Sequence, residues 1–285
     1  MVAILKEGKY WSILASSRQG AAHRRKGVVN QDALSVSVVQ GGIAVAVADG
    51  HGSPTSPYSH LGARFAAEAA CEQLKEFAER NIKIRNYQTL NDLAAKVPQA
   101  IVQEWRRRVD ESCVDEAMGL ELRKKRILFG TTLLCALLVK DWALLLQLGD
   151  GDILCVYDND EVTTVWHGVS EEFVGEETHS LCEDNAESIT QWKIIVPIEP
   201  KLALLLLSTD GYNKSFASEA DFRKAAVDWY HLLLEHGAEK LREKIDEWLD
   251  QTSDQGCGDD ITVALLYRAK KAISLARIAP WLARG

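Results

Sequence analysis

Apolar positions along the chain switch between a two-residue and a helical period, and the switches divide the sequence into blocks. Residues 34–39 and 43–47 are short runs rich in Val, Leu, Ile and Ala on either side of Gln40-Gly41-Gly42, which predicts a hairpin. Residues 58–80 place Leu61, Ala63, Phe65, Ala66, Ala69, Ala70, Leu74 and Phe77 at helical spacing, with Glu68, Glu72, Lys75 and Glu79 on other faces, an amphipathic helix. A second helical stretch spans 90–109 with an interruption near Pro98. Strands then return at 131–139, 143–148 and 153–157, separated by Lys140-Asp141 and Gly149-Asp150-Gly151-Asp152, the pattern of a meander. Residues 167–187 are polar and acidic and read as a surface excursion. Strands at 189–196 and 202–208, helices at 219–236 and 238–250, and a last strand at 261–267 complete the chain. Strands and helices come in separate blocks, which favours α+β over an alternating parallel sheet.

Composition narrows the class. With 285 residues, 47% of them hydrophobic, and no Pro-, Gly- or Ser-rich linker, the chain reads as one domain with a sizeable core. The formal net charge of -8 disfavours nucleic acid or an anionic membrane as a general partner. The longest apolar run, 202–207, is strand-sized, so no membrane span is expected. Six cysteines show no C-x-x-C pair and no histidine at zinc spacing, and they read as buried free thiols of a cytoplasmic protein. The Arg106-Arg107-Arg108 run reads as a solvated helix face.

Four aspartates stand where apolar runs stop: Asp32 in Asn30-Gln31-Asp32-Ala33, Asp49 in Ala48-Asp49-Gly50-His51-Gly52, Asp210 in Ser208-Thr209-Asp210-Gly211, and Asp259 in Gly258-Asp259-Asp260-Ile261. Carboxylates at the ends of buried strands need a partner, because an unpaired charge near the core costs several kcal/mol or takes up a proton. Divalent cations that prefer oxygen are the natural partner. Asp32 and Asp49 fall at the open end of the expected hairpin, where antiparallel pairing makes them neighbours able to share one ion. Gly149-Asp150-Gly151-Asp152 lacks the remaining ligands of a calcium loop. No cysteine sits in a phosphate loop, and there is no G-x-S-x-G elbow.

Asn-Gln-Asp-Ala, Ala-Asp-Gly-His-Gly, Gly-Thr-Thr, Leu-Gly-Asp-Gly-Asp, Ser-Thr-Asp-Gly and Gly-Asp-Asp-Ile-Thr-Val occur in this order over nearly the whole length. In these motifs the chain resembles the metal-dependent, 2C-type serine/threonine protein phosphatases. Residues 59–64 and 175–178 resemble a bacterial branch, some members of which are encoded near dedicated kinases. The resemblance implies a four-layer α/β/β/α sandwich of two antiparallel sheets flanked by helices, with a two-metal centre at one end. It implies that Asp49 bridges two Mn²⁺ or Mg²⁺ ions, that the Gly50 carbonyl binds one, and that Asp210 and Asp259 hold the first ion. Asp32 would position waters on the second, and Asp150 matches the position supporting a third, weaker site. His51 would protonate the departing Ser or Thr oxygen; the alternative is a histidine that orients a metal-bound water.

The chain also departs from the pattern. The Arg that usually grips substrate phosphate, five residues before the first Asp, is Gly27 here. Arg24 or Arg25, in the His23-Arg24-Arg25-Lys26 cluster, would give a bidentate phosphate contact, unless the cluster is a solvent-facing loop. Gln31 replaces the usual Glu, and Asp260 replaces a common Asn, so either Asp259 or Asp260 is open as a ligand. The expectation is a 1–270 phosphatase domain with a basic 271–285 tail that packs on the body or docks a partner. Its substrate would be phosphoserine or phosphothreonine on a protein, with a cognate serine/threonine kinase as a further partner. Two alternatives stand beside it: a pseudo-phosphatase that binds a phosphorylated partner or kinase without turnover, and a phosphatase of small phosphoesters.

Overall fold

The computed structural model describes residues 3–114, 117–166, 178–196, 198 and 201–268; the expected 271–285 tail lies outside them. Two antiparallel sheets stack face to face with helices on both outer sides. One sheet comprises β3 (Ala33–Val39), β4 (Gly42–Ala48), β5 (Leu133–Val139), β6 (Ala143–Leu148) and β9 (Gln191–Ile195), in that order. The other runs β1 (Ile4–Glu7), β2 (Trp11–Arg18), β11 (Ile261–Arg268), β10 (Leu202–Ser208), β7 (Asp152–Tyr157) and β8 (Val162–Thr164). This is the expected α+β sandwich.

The strands read as continuous apolar runs because both faces of each sheet are covered. In β10, Leu205 and Leu207 enter the core between the sheets, while Leu204 and Leu206 face the helices α8 (Glu219–His236) and α10 (Ile245–Gln255). In β4, Val45 and Val47 point to the other sheet. Ala44, Ala46 and Ala48 face the helices on the opposite side, α2 (Ser59–Asn81) and α4 (Val97–Asp110). Small residues on this face meet Ala63, Ala66, Ala67 and Ala70 of α2, so helix and sheet approach closely. A Cβ on Gly62 would lie 1.9 Å from the Phe129 carbonyl oxygen, and that carbonyl-bearing segment therefore fixes a glycine in α2.

Several boundaries differ from the sequence reading. The hairpin pairs Val39 with Gly42, so its turn is Gln40-Gly41, with Gly41 at φ +74. The stretch 90–109 is two helices, α3 (Tyr87–Ala94) and α4, with Pro98 in the first turn of the second, where a missing N–H costs nothing. The helix expected at 238–250 is α9 (Ala238–Arg242) followed by α10. β2 went unread because Ser12, Ser16 and Ser17, all buried, interrupt its apolar pattern. The 23–26 cluster is not a loop but lies in a short helix, α1 (Ala21–Lys26). Cys113 and Cys257 are exposed, unlike the buried Cys71, Cys135 and Cys155; all six are free. Of the run expected as a solvated face only Arg107 is exposed: Arg108 is half-buried against Glu68, Glu72 and Glu104, and Arg106 donates to the Glu183 and Asp184 carbonyls.

Candidate metal centre

The register of the sheets brings the four aspartates to one edge of the sandwich. Ala33 pairs with Ala48, so Asp32 and Asp49 leave the hairpin side by side. Ser208 pairs with both Asp152 and Val263, which puts the end of β10 beside the starts of β7 and β11. Asp49, Gly50, His51, Asp150, Asp210 and Asp259 thereby line one cavity of about 970 Å³.

The aspartates are anchored by bonds to their side chains or their backbone. Asp32 is buried, and its Oδ2 accepts from the Thr209 and Thr262 hydroxyls, both at 2.8 Å. The Asp49 backbone is clamped by the Gly-Thr-Thr motif. Its carbonyl accepts from Thr132 N–H and the Thr131 hydroxyl, each at 2.8 Å, and its N–H donates to Thr132 Oγ1 at 3.0 Å. Ser253 accepts from the Ala21 N–H and donates to the Asp259 carbonyl, tying α1 and α10 to the last ligand loop. Asp210 begins a four-residue helix, α7 (Asp210–Asn213), and accepts from the Lys214 ammonium one turn on.

Buried carboxylates crowd one another at this edge. Burial, then Asp260, pushes the Asp32 carboxyl well above the usual carboxylate range, against the pull of the two threonine hydroxyls. Burial, then Asp32, Asp210 and Asp259, does the same to Asp49. Asp32 Oδ1 and Asp210 Oδ1 are buried with no hydrogen-bond partner among the described residues. An orphaned carboxylate oxygen inside a protein is costly, and hard oxygen donors around two such atoms fit Mg²⁺ or Mn²⁺.

Asp259 and Asp260, indistinguishable in sequence, have different surroundings. Asp260 accepts from the Gly20 N–H at 2.5 Å and the Gln31 N–H at 2.6 Å, and its Oδ2 lies 2.9 Å from His23 Nδ1. The ligand-capable atoms of His23, Asp259 and Asp260 fall within 4.8 Å of one another. Both Asp260 oxygens accept from backbone N–H groups, whereas Asp259 accepts the Asp260 N–H on Oδ1 and lines the cavity.

His51 is anchored by its N–H to the Gly130 carbonyl at 3.2 Å. Burial lowers its proton affinity, opposed by Asp150 and Glu183. A Cβ on Gly130 would lie 2.6 Å from His51 Cδ2, so the glycine makes room for the ring. Gln31 is buried, its Oε1 accepting from Ser59 at 2.6 Å.

Arg24 and Arg25 do not line the cavity. Arg24 instead donates to the Gln19 carbonyl and to Asp250 and Asp254 on α10, the latter at 2.7 Å, and the basic cluster reaches the cavity through His23. Sequence reasoning missed Lys214, which lines the cavity and whose signal was its i,i+4 spacing from Asp210. It also missed Thr209 and Thr262, which only tertiary pairing brings to Asp32. The expected excursion lies partly outside the described residues, but its end is no surface loop. Ser180 and Leu181 are buried, Leu181 N–H donates to the Thr131 carbonyl, and Thr178 donates to Asp150 at 2.9 Å.

A family model described as protein phosphatase 2C matches residues 19–250. Among solved structures, the fold is similar to serine/threonine phosphatase Stp1 from Staphylococcus aureus, with a TM-score of 0.60 at 14% identity over 93% of this chain and 97% of that one. It is similar to the S. agalactiae serine/threonine phosphatase, with a TM-score of 0.58 at 18% identity over 90% and 99%. A further bacterial serine phosphatase gives a TM-score of 0.59 at 15% identity over 90% and 96%. None of the curated proteins matches the sequence.

Proposed function

The chain belongs to the protein phosphatase 2C family, and from that premise we propose that it hydrolyses phosphoserine or phosphothreonine on protein partners at a pair of Mn²⁺ or Mg²⁺ ions. The observation that carries this reading is the convergence of Asp49, Asp210 and Asp259 on one cavity, together with the orphaned buried oxygens of Asp32 and Asp210. Asp49, the Gly50 carbonyl, Asp210 and Asp259 would hold the ions, with Asp32 behind them and Asp150 at the rim for a weaker third. Bound there, such ions shield the phosphoryl oxygens and lower the pKa of water.

The remaining work falls to the chain itself. His51, whose backbone N–H donates to the Gly130 carbonyl, would act as general acid toward the departing Ser or Thr oxygen. The cavity is large enough for a phosphorylated side chain and its adjoining backbone. No helix among the described residues is long and apolar enough to cross a membrane. Six free thiols suit a reducing compartment, and the reading places the protein in the cytoplasm with a cognate serine/threonine kinase.

The test is initial-rate phosphate release from a phosphothreonine peptide and from a small phosphoester, with Asp49→Asn and Asp210→Asn as folded controls. Turnover that requires Mn²⁺, prefers the peptide and is lost in both variants is expected. Peptide binding without turnover would replace this reading with the pseudo-phosphatase, and preference for the small ester would overturn the protein substrate.

A further inference from the structure

A phosphate dianion entering a cavity walled by carboxylates needs a cationic side chain, and the Arg that usually supplies one in this family is Gly27 here. Arg24 pairs with Asp250 and Asp254, and Arg25, whose guanidinium lies near Gly258, does not line the cavity. Among the described residues that line it, Lys214 is the sole Lys or Arg.

The geometry points to Lys214 as the residue that binds the substrate's phosphate group through its ammonium, available for that task when a divalent ion takes its place on Asp210. Its ammonium donates to Asp210 Oδ2 and lies 4.0 Å from Asp150 Oδ2, spanning two of the carboxylates expected to meet cations. Its side chain is 58% exposed, so the four-carbon stem is free to swing. An ammonium and a divalent ion on one carboxylate repel each other, so an ion held by Asp210 would displace Lys214 and leave its ammonium free for an anion in the cavity. A bland reading exists: an i,i+4 surface pair between Lys214 and Asp210 contributes little and has no function. The two readings differ in what removing the ammonium does to anion binding.

This inference rests on the two-metal reading, and the experiment separates their failures. Chelator-stripped wild type, Lys214→Gln and Lys214→Arg are titrated calorimetrically with Mn²⁺ alone, and then, Mn²⁺-loaded, with inorganic phosphate. Thermal melts verify that the variants fold. Lys214→Gln should bind Mn²⁺ more tightly, having lost a competing cation, and phosphate about tenfold to a hundredfold more weakly. Lys214→Arg should restore phosphate binding. On a phosphothreonine peptide, Lys214→Gln should raise KM by a larger factor than it lowers kcat. Unchanged phosphate affinity in Lys214→Gln overturns the proposal, whether or not Mn²⁺ binding tightens. Wild type that binds no Mn²⁺ overturns the two-metal reading in the first titration, and this proposal with it.

Discussion

Replacing Asp49 by Asn should make the metal-free protein more stable and the metal-loaded protein less so. Without cations, the fold holds Asp49 against burial and against Asp32, Asp210 and Asp259, which together raise its carboxyl well above the usual range. A group whose proton affinity rises on folding contributes stability below its unfolded pKa and loses that contribution as pH climbs through the folded value. The metal-free wild type should therefore weaken from the acid side toward neutrality. An amide carries no charge at any pH, so the variant escapes this loss. Relief of a strained functional charge is worth about 1–2 kcal/mol, or about 2–5 °C in Tm for a chain of this size near neutrality. The gain should vanish below the ordinary carboxylate range, where both proteins are neutral at this position. Mn²⁺ at a hundred times its dissociation constant adds about 2.7 kcal/mol to the wild type, enough to reverse the order. Thermal melts of chelator-stripped protein, at acid and neutral pH and with and without Mn²⁺, read all four corners. A variant less stable than wild type in metal-free neutral buffer, or one with an undiminished Mn²⁺ shift, would refute the reasoning.

Asp260 and Asp259 should separate by phenotype. Asp260→Ala strands the Gly20 and Gln31 N–H groups and should lower stability by about 2–4 kcal/mol, whereas Asp259→Ala strands only the Asp260 N–H and should cost less stability while weakening Mn²⁺ binding, both readable by melts and calorimetry. Gly130→Ala puts a methyl 2.6 Å from His51 Cδ2 and 2.9 Å from Ser56 Oγ, both side-chain atoms that can shift. It should keep the fold but lower kcat, by about 10²-fold if the general-acid role is lost; a wild-type kcat would show that the His51 ring does not need the space Gly130 leaves it. Native thiol titration should show Cys113 and Cys257 reacting quickly. Cys71 and Cys155, whose thiols burial pushes up to about 11, should react only after denaturation.

Long-period features were legible in the sequence, and tertiary ones were not. The β3–β4 hairpin and α8 follow from periodicity and turn chemistry, with Ser218 accepting from the Asp221 N–H at the start of α8. β2 was hidden because a central strand here carries three buried serines. Two of them are satisfied across the fold: Ser16 donates to Asp246, and Ser17 accepts from Asn30 and lies 2.8 Å from the Thr262 hydroxyl. The aspartates announced themselves by standing at the ends of apolar runs. The residues that hold them did not, because Thr209 and Thr262 reach Asp32 only when β10 and β11 pair. Arg24 looked available in sequence only because Asp250 and Asp254 lie more than 200 positions away, on a helix whose packing against α1 has no local signal. Choosing between Asp259 and Asp260 needed the N–H groups of Gly20 and Gln31, contributed by segments remote from the motif.

On the two-metal reading, the carboxylate edge holds a pair of cations. Mn²⁺ binding to chelator-stripped protein, followed by electron paramagnetic resonance, tests it most directly, because it counts ions and reports whether they lie close enough to couple. The account predicts two ions per chain with a spin-coupled signal, which Asp49→Asn abolishes. Binding of no ion, or of isolated uncoupled ions that Asp49→Asn leaves in place, would contradict it.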